Sequence, residues 1–249
     1  MKILGIIPAR FASTRFPGKP LVEIVGQTMI YRTYHQVIQA DTLSDVVVAT
    51  DDEKIFQHVK SWNGKVLMTS SNHLTGTDRV AEIAHQLPDY EAYINIQGDE
   101  PFISPNQINL FANTLSNSKM PIATLIKKID DNEELTNPSI VKVVVNITGK
   151  AMYFSRSVIP FIRSTENPTQ WLNQHTFYRH IGMYGFTKDA LLQIQQLAPT
   201  PLETAESLEQ LRWLENNLEI QTIETQENTI SIDTPQDLEK ALQFLKLKQ

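Results

Sequence analysis

The chain has 249 residues, with 28 acidic and 22 basic side chains, a formal net charge of −6 and no cysteine. The acidic balance argues against a nucleic-acid partner held through its phosphate backbone. The lack of cysteine excludes disulfides, thiolate catalysis and Cys–zinc sites, and it fits a reducing compartment. No stretch reaches the roughly 18 apolar residues of a membrane span. The short apolar run at the start ends in Pro8-Ala9-Arg10 and reads as a first strand rather than a signal peptide. The expectation is a cytoplasmic protein with no membrane insertion.

In chain order, Ile3 to Ile7 is apolar on both faces and predicts a buried strand. A loop rich in Pro, Gly and cations follows to Leu21. Met29 to Ala40 has helical spacing, with Thr28 as N-cap. Asp45 to Thr50 predicts a second buried strand, Ile55, Val59 and Trp62 one face of a helix closed by Asn63-Gly64, and Val66 to Met68 a short strand. This β-α-β-α-β rhythm implies parallel strands with right-handed crossovers. A polar stretch from Thr69 to Arg79 leads into a helix with Thr77 as its predicted cap. The next buried strand runs from Tyr93 into Gly98-Asp99-Glu100-Pro101, where Gly98 permits close backbone approach.

Further on, Ile108 to Leu115 predicts a helix and Ile122 to Ile126 a strand. Asp130 to Pro138 reads as a connection, and Val141 to Asn146 and Ala151 to Ser155 as a hairpin. Residues 159 to 174 look irregular. Tyr178 to Phe186 predicts a strand, Lys188 to Leu197 a helix, and Glu203 to Asn216 one continuous helix. Strands are expected at 220–223 and 229–232. Thr234-Pro235 then opens the last helix, with Asp237 in its first turn. The shift to mostly β pattern near residue 130 suggests an inserted subdomain at about 130–187, and its under-buried hairpins suggest a dimer interface.

Chemistry concentrates at strand ends. Arg10, Arg15 and Lys19, with the Ser13 and Thr14 hydroxyls, fall in a loop directly after a buried strand. Open α/β sheets bind ligands at such positions, and fixed cations with backbone N–H groups suit a polyphosphate. The spacing is neither that of a P-loop nor a dinucleotide fingerprint. Asp99 and Asp233 each follow an apolar run. Two carboxylates brought together at strand ends suit Mg²⁺, which takes few protein ligands and favours substrate phosphates. Read singly, Asp99 fits a turn equally well, and Asp233 a helix-start charge.

These residues carry a resemblance. Ile7-Pro8-Ala9-Arg10 through Lys19-Pro20-Leu21, His73 to Arg79, Asn95 to Pro101, Tyr153 to Arg156, Arg179 to Gly182, Leu208 to Arg212 and Ile232 to Pro235 together resemble the 3-deoxy-manno-octulosonate cytidylyltransferase family. The resemblance runs in order from residue 3 to about 240. The opening motif by itself marks only a nucleotidyltransferase. The resemblance implies a single Rossmann-like nucleotidyltransferase α/β domain with a mostly parallel, mixed central sheet and an inserted β-rich dimerisation subdomain. It implies transfer of CMP from CTP to 3-deoxy-D-manno-octulosonate (Kdo), releasing pyrophosphate and activating Kdo for lipopolysaccharide synthesis, by a Mg²⁺-dependent homodimer. Related acid sugars, the 8-amino analogue of Kdo or sialic acid, are alternatives, as is a non-catalytic nucleotide-binding protein of the same fold.

Carried over by motif, Arg10, Ser13, Arg15 and Lys19 hold the triphosphate, and Ala9 and Arg79 lie near the cytosine. Arg10 and Lys19 stabilise the leaving group, and Asp99 and Asp233 hold the metal. Gln97, Arg156, His180, Tyr184, Glu209 and Gln210 match the sugar side. Of these, Tyr184 reads equally as a core residue, and Glu209 and Gln210 as a solvated helix face. Arg179 and Arg212 read as structural.

Overall fold

The computed structural model describes residues 1–12, 16–118, 120–165 and 167–246; Ser13, Thr14 and Arg15 of the predicted phosphate loop lie outside the described residues. The chain is an α/β protein whose strand pairings are mixed, with the strands Ile3–Ala9, Asp45–Thr50, Val66–Met68 and Ala92–Asn95 of its first half pairing in parallel. It forms two compact units, Met1–Ser116 with Glu227–Gln249, and Asn117–Gln226. The β-rich stretch expected at about 130–187 falls within the second.

In the first unit, β1 (Ile3–Ala9) pairs in parallel with β4 (Asp45–Thr50) on one side and β6 (Ala92–Asn95) on the other, and β4 pairs with β5 (Val66–Met68). Ile3, Leu4, Ile6 and Ile7 are all buried, as a strand covered on both faces requires. A two-residue ladder, β2 (Glu23–Ile24) with β3 (Gln27–Thr28), was not legible from periodicity. It turns through Val25 and Gly26, both at positive φ, as a tight hairpin needs.

The helices α1 (Met29–Val37), α2 (Glu53–Ser61), α3 (Gly76–Gln86) and α4 (Pro105–Ser118) follow the predicted faces. Thr28 caps α1 as expected. The cap of α3 is Thr75, two residues before the predicted Thr77, because Asp78 at the third helical position completes a capping box with Thr75. The predicted strand at 229–232 is not a strand. Its apolar residues instead join a core cluster, where Ile230 and Ile232 pack with Ile24, Met29, Phe102 and Leu238. Residues Pro235–Lys246 form the last helix of the chain.

In the second unit, β7 (Ile122–Lys128) pairs with β10 (Tyr178–Thr187) antiparallel and β11 (Ile220–Glu224) parallel. The expected hairpin is present as β8 (Lys142–Val145) and β9 (Ala151–Ser155), with β8 also on β10. The connection after β7 holds a short helix α5 (Asn132–Thr136) capped by Asp131. Helix α6 (Lys188–Gln195) is as predicted. The expected continuous helix at 203–216 is broken into α7 (Pro201–Glu206) and α8 (Gln210–Glu215). Ser207 sits in the left-handed region at φ 52°. Glu206, just before it, is the last residue of α7, and its carboxylate accepts from Ser155 Oγ at 2.6 Å and from the Arg156 N–H at 2.9 Å. Leucine spacing alone could not reveal that tertiary contact.

Candidate active site

At the carboxyl end of β1 the first unit opens a cavity of about 390 Å³, lined by Ala9, Arg10, Lys19, Gln97, Asp99 and Asp233 among others. Each arrives by a local device. Gly98 passes so close to β1 that a Cβ there would stand 2.7 Å from the Pro8 carbonyl oxygen. Its own carbonyl accepts from Thr33 Oγ1 at 3.2 Å. Those contacts fix the turn that presents Asp99. The Ile232 N–H donates to the Asp99 carbonyl at 2.9 Å, which carries Asp233 to the same place. Thr234 and Asp237 cap one another just beyond, anchoring the helix that follows. Gly18, at φ 72°, turns the chain into the 3₁₀ turn Lys19–Leu21, and its N–H closes the preceding loop onto the Phe11 carbonyl at 2.9 Å.

The product of these devices is a triad. Lys19 Nζ donates to Asp99 Oδ2 at 2.6 Å and to Asp233 Oδ1 at 2.9 Å. The Lys19 and Asp99 side chains are only 13% and 20% exposed, so solvent screens this pair weakly. Burial opposes the Lys19 charge, but the two carboxylates outweigh it and hold the lysine pKa above its usual value. Burial, with Asp233 adding to it, pushes the Asp99 carboxyl up against the pull of Lys19. Two carboxylates therefore compete for one ammonium. Among the described residues, no cluster of three or more His, Cys, Asp or Glu side chains surrounds a common point.

The other predicted residues divide. Ala9 is buried at the end of β1, and Gln97 lines the cavity. Arg10 is exposed and donates to the Leu74 carbonyl at 3.2 Å. Arg79 is fully buried and is not among the lining residues. Its guanidinium donates to Asp51 Oδ2 at 2.7 Å and to Thr69 Oγ1 at 2.6 Å, bracing the loop before α3. Ser13 and Arg15 lie outside the described residues.

The sugar-side motif residues other than Gln97 lie in the second unit. Arg156 is pinned by carbonyl oxygens, donating to Glu206 O at 2.8 Å and Pro138 O at 3.3 Å. His180 contacts Thr124 Oγ1 at 2.9 Å through Nε2. That hydroxyl donates to the Met183 carbonyl at 2.8 Å, so it accepts from His180, which is then the neutral Nε2–H form with Nδ1 left as an acceptor. Burial drives the His180 pKa down to about 3. The Tyr184 hydroxyl is buried beside Thr124 without a hydrogen bond of good geometry. Burial, and then the charge of Glu209, raises its pKa well above the ordinary value. Gln210 Nε2 is also buried without a partner. Arg179 and Arg212, read as structural, pair with Glu134 and Glu203 respectively.

Two residues were missed. Asn95 lines the first unit's cavity with a buried, unpartnered Oδ1. The indole N–H of Trp213 is buried and unpartnered, and its ring lies 4.9 Å from Tyr184. Asn95 sits among apolar neighbours and Trp213 in a helix beside Leu214, where the sequence offers no signal beyond a polar atom in a core position.

The Cytidylyltransferase family profile matches residues 4–246. A 3-deoxy-manno-octulosonate cytidylyltransferase of Parabacteroides distasonis is 52% identical over 98% of both chains. One of Cytophaga hutchinsonii is 51% identical over 96% of this chain and 95% of its own. A solved structure described as CMP:2-keto-3-deoxy-manno-octonic acid synthetase complexed with CTP superposes with a TM-score of 0.92 at 39% identity, covering both chains completely. A putative glucose-1-phosphate thymidylyltransferase of Bacillus anthracis, 17% identical with a TM-score of 0.66, shares the fold. A carboxylate–lysine–carboxylate triad at a strand-end cavity, in a chain half identical to such relatives along its whole length, places this protein in the 3-deoxy-manno-octulosonate cytidylyltransferase family.

Proposed function

We propose that the chain transfers CMP from CTP to Kdo, releasing pyrophosphate. The observation that carries this is the Asp99–Lys19–Asp233 triad in the cavity at the end of β1. In the reaction the anomeric hydroxyl oxygen of the sugar bonds to the α-phosphorus, the bond to the β-phosphate oxygen breaks, and the hydroxyl proton is lost to solvent. Little covalent work falls to the protein, so charge and positioning dominate.

Lys19 and Arg10, with Ser13 and Arg15, are assigned to the triphosphate, and Lys19 stabilises the charge that develops on pyrophosphate. Ala9 and Arg79 are assigned to the cytosine side, Arg79 through the loop it braces. Asp99 and Asp233 are assigned as Mg²⁺ ligands. This assignment is supported by the ammonium they hold between them at 2.6 and 2.9 Å. Mg²⁺ when bound supplies neutralisation of the triphosphate.

On the sugar side, Gln97 belongs to the first unit, and Arg156, His180, Tyr184, Glu209 and Gln210 to the second. Kdo carries a carboxylate and several hydroxyls, which need a cation and hydrogen-bonding groups. Arg156 supplies the cation, the neutral His180 an acceptor, and Tyr184 and Gln210 hold buried polar atoms without partners. We also assign a homodimer, supported by exposed Ile147, Met152 and Phe161 in the second unit. Among the described residues no helix is long and apolar enough to cross a membrane.

The test is pyrophosphate release from CTP with Kdo, its 8-amino analogue and sialic acid in parallel, with and without Mg²⁺. Fastest release with Kdo is expected, lost on chelation. No release with Kdo but turnover of another acid sugar would remove the substrate assignment, and light scattering at graded concentration checks the dimer.

A further inference from the structure

We infer that Asn95 is a specificity residue that reads a hydrogen-bond donor on the nucleoside half of the nucleotide substrate; this rests on the CTP reading above. Asn95 ends β6, aligned with Ile6 of β1, and is 4% exposed. It lines the same cavity as Lys19 and Asp99, yet its Oδ1 is buried with no hydrogen-bond partner. Buried polar atoms in folded proteins are nearly always paired, so an orphan in a ligand cavity points to a partner the ligand brings.

The neighbourhood leaves room for that partner. Gly76, the first residue of α3, also lines the cavity, and a Cβ there would stand 3.4 Å from Asn95 Nδ2. The glycine thus leaves the space beside the Asn95 carboxamide clear of a side chain. The triphosphate cannot satisfy it, because a phosphate carries acceptors and charge but no donor. In CTP the available donors are the cytosine exocyclic amine and the ribose hydroxyls. The cavity lining combines ionic groups, Lys19, Asp99 and Asp233, with one neutral buried acceptor, Asn95 Oδ1. That division suits a ligand with a polyanionic end and a neutral, donor-bearing end.

The experiment compares wild type with Asn95→Ala and Asn95→Leu in pyrophosphate release from CTP, UTP and 2′-deoxy-CTP, with melting temperatures and calorimetric CTP titration. The expected result is a KM for CTP raised about ten-fold, the scale of one lost hydrogen bond, with kcat changed less than about two-fold. A contact to the base amine lowers the preference for CTP over UTP; a contact to the ribose lowers the preference over 2′-deoxy-CTP. Asn95→Leu, which removes an unpaired buried amide, is expected to keep or raise the melting temperature by about 2–4 °C. Unchanged CTP affinity in both variants overturns the proposal. So does a loss of stability and kcat together with both nucleotide preferences intact, which marks a structural role. Wild-type enzyme that releases no pyrophosphate with Kdo counts against the functional reading alone, because CTP binding by calorimetry still decides Asn95.

Discussion

Lys19 Nζ and Asp99 Oδ2 meet at 2.6 Å across 80 residues of sequence. The contact joins the loop after β1 to the turn after β6, and Asp233 completes it from near the far end of the chain. Replacing Lys19 by Met leaves two carboxylates facing each other, one of them largely buried, with no cation between them. We expect Lys19→Met to lower kcat/KM at least about 100-fold, the scale of removing one preorganised charge-stabilising donor. The free protein should also melt lower, and Mg²⁺ without nucleotide should restore more of the melting temperature than it adds to wild type. A variant that melts like wild type and ignores Mg²⁺ would show that the carboxylates do not need a cation between them.

Arg79 is expected to act on stability first. It is fully buried, and its partners are Asp51, Thr69 and the Ser70 carbonyl. Truncation strands Asp51 and two further polar groups in a poorly solvated place. Arg79→Met should cost about 3–5 kcal/mol in urea unfolding, the range for breaking a buried ion pair from one side. Arg79→Lys should recover only part, since one ammonium cannot reproduce the forked contacts. A fully stable Arg79→Met that has lost CTP affinity would make Arg79 a direct nucleotide contact.

The elements that sequence could predict are those whose pattern is local. β1, β4 and β6 are apolar on both faces, and Thr28 and Thr234 cap helices through residues three positions away. The carboxylate pair was also legible, because Asp99 and Asp233 each interrupt an apolar run at its end. What could not be read depends on distant partners. The Glu206 carboxylate, on the last residue of α7, accepts from Ser155 and Arg156, about fifty residues earlier, where α7 breaks from α8. Ile230 and Ile232 look like a strand because they are apolar, but they serve the cluster around Ile24 and Met29 without a ladder. The ion-pair role of Lys19 was hidden for the same reason: a phosphate-binding lysine and a carboxylate-bridging lysine look alike in sequence. Asn95 went unnoticed because an unpaired carboxamide is visible only once its neighbours are placed.

Gly98 fixes the distance between β1 and the Asp99 turn. An added Cβ would stand 2.7 Å from the Pro8 carbonyl oxygen, which is backbone and cannot swing aside. Gly98→Ala should therefore push the turn away from β1 and displace Asp99 from Lys19. The expected outcome is a loss of about 1–3 kcal/mol in stability from overpacking, with kcat reduced at least about ten-fold because the carboxylate is misplaced. Circular dichroism melts and pyrophosphate release measure the two effects separately. Full activity in Gly98→Ala would mean that the turn tolerates a shift the geometry does not allow.

His180 makes stability pH-dependent in a window set by its shift. Its pKa is lowered from 6.5 to about 3 by burial, against Phe154 at 5.2 Å and Tyr184 at 5.2 Å. The folded protein thus keeps the imidazole neutral where the unfolded chain protonates it. The stabilisation is complete above pH 6.5 and is lost as the pH falls from 6.5 toward 3. Between pH 6.5 and 5 the slope amounts to at most about 2 kcal/mol at 1.36 kcal/mol per pH unit, and the ring's partial solvent exposure trims it. His180→Gln keeps a side chain able to donate to Thr124 but does not titrate. Urea unfolding of both proteins at pH 7.5, 6.5, 5.5 and 5 should show wild type losing stability more steeply, with the curves separating only below pH 6.5. Parallel curves over that range would mean that His180 protonates in the folded state as easily as in the unfolded chain, and that the Thr124 contact does not hold it neutral.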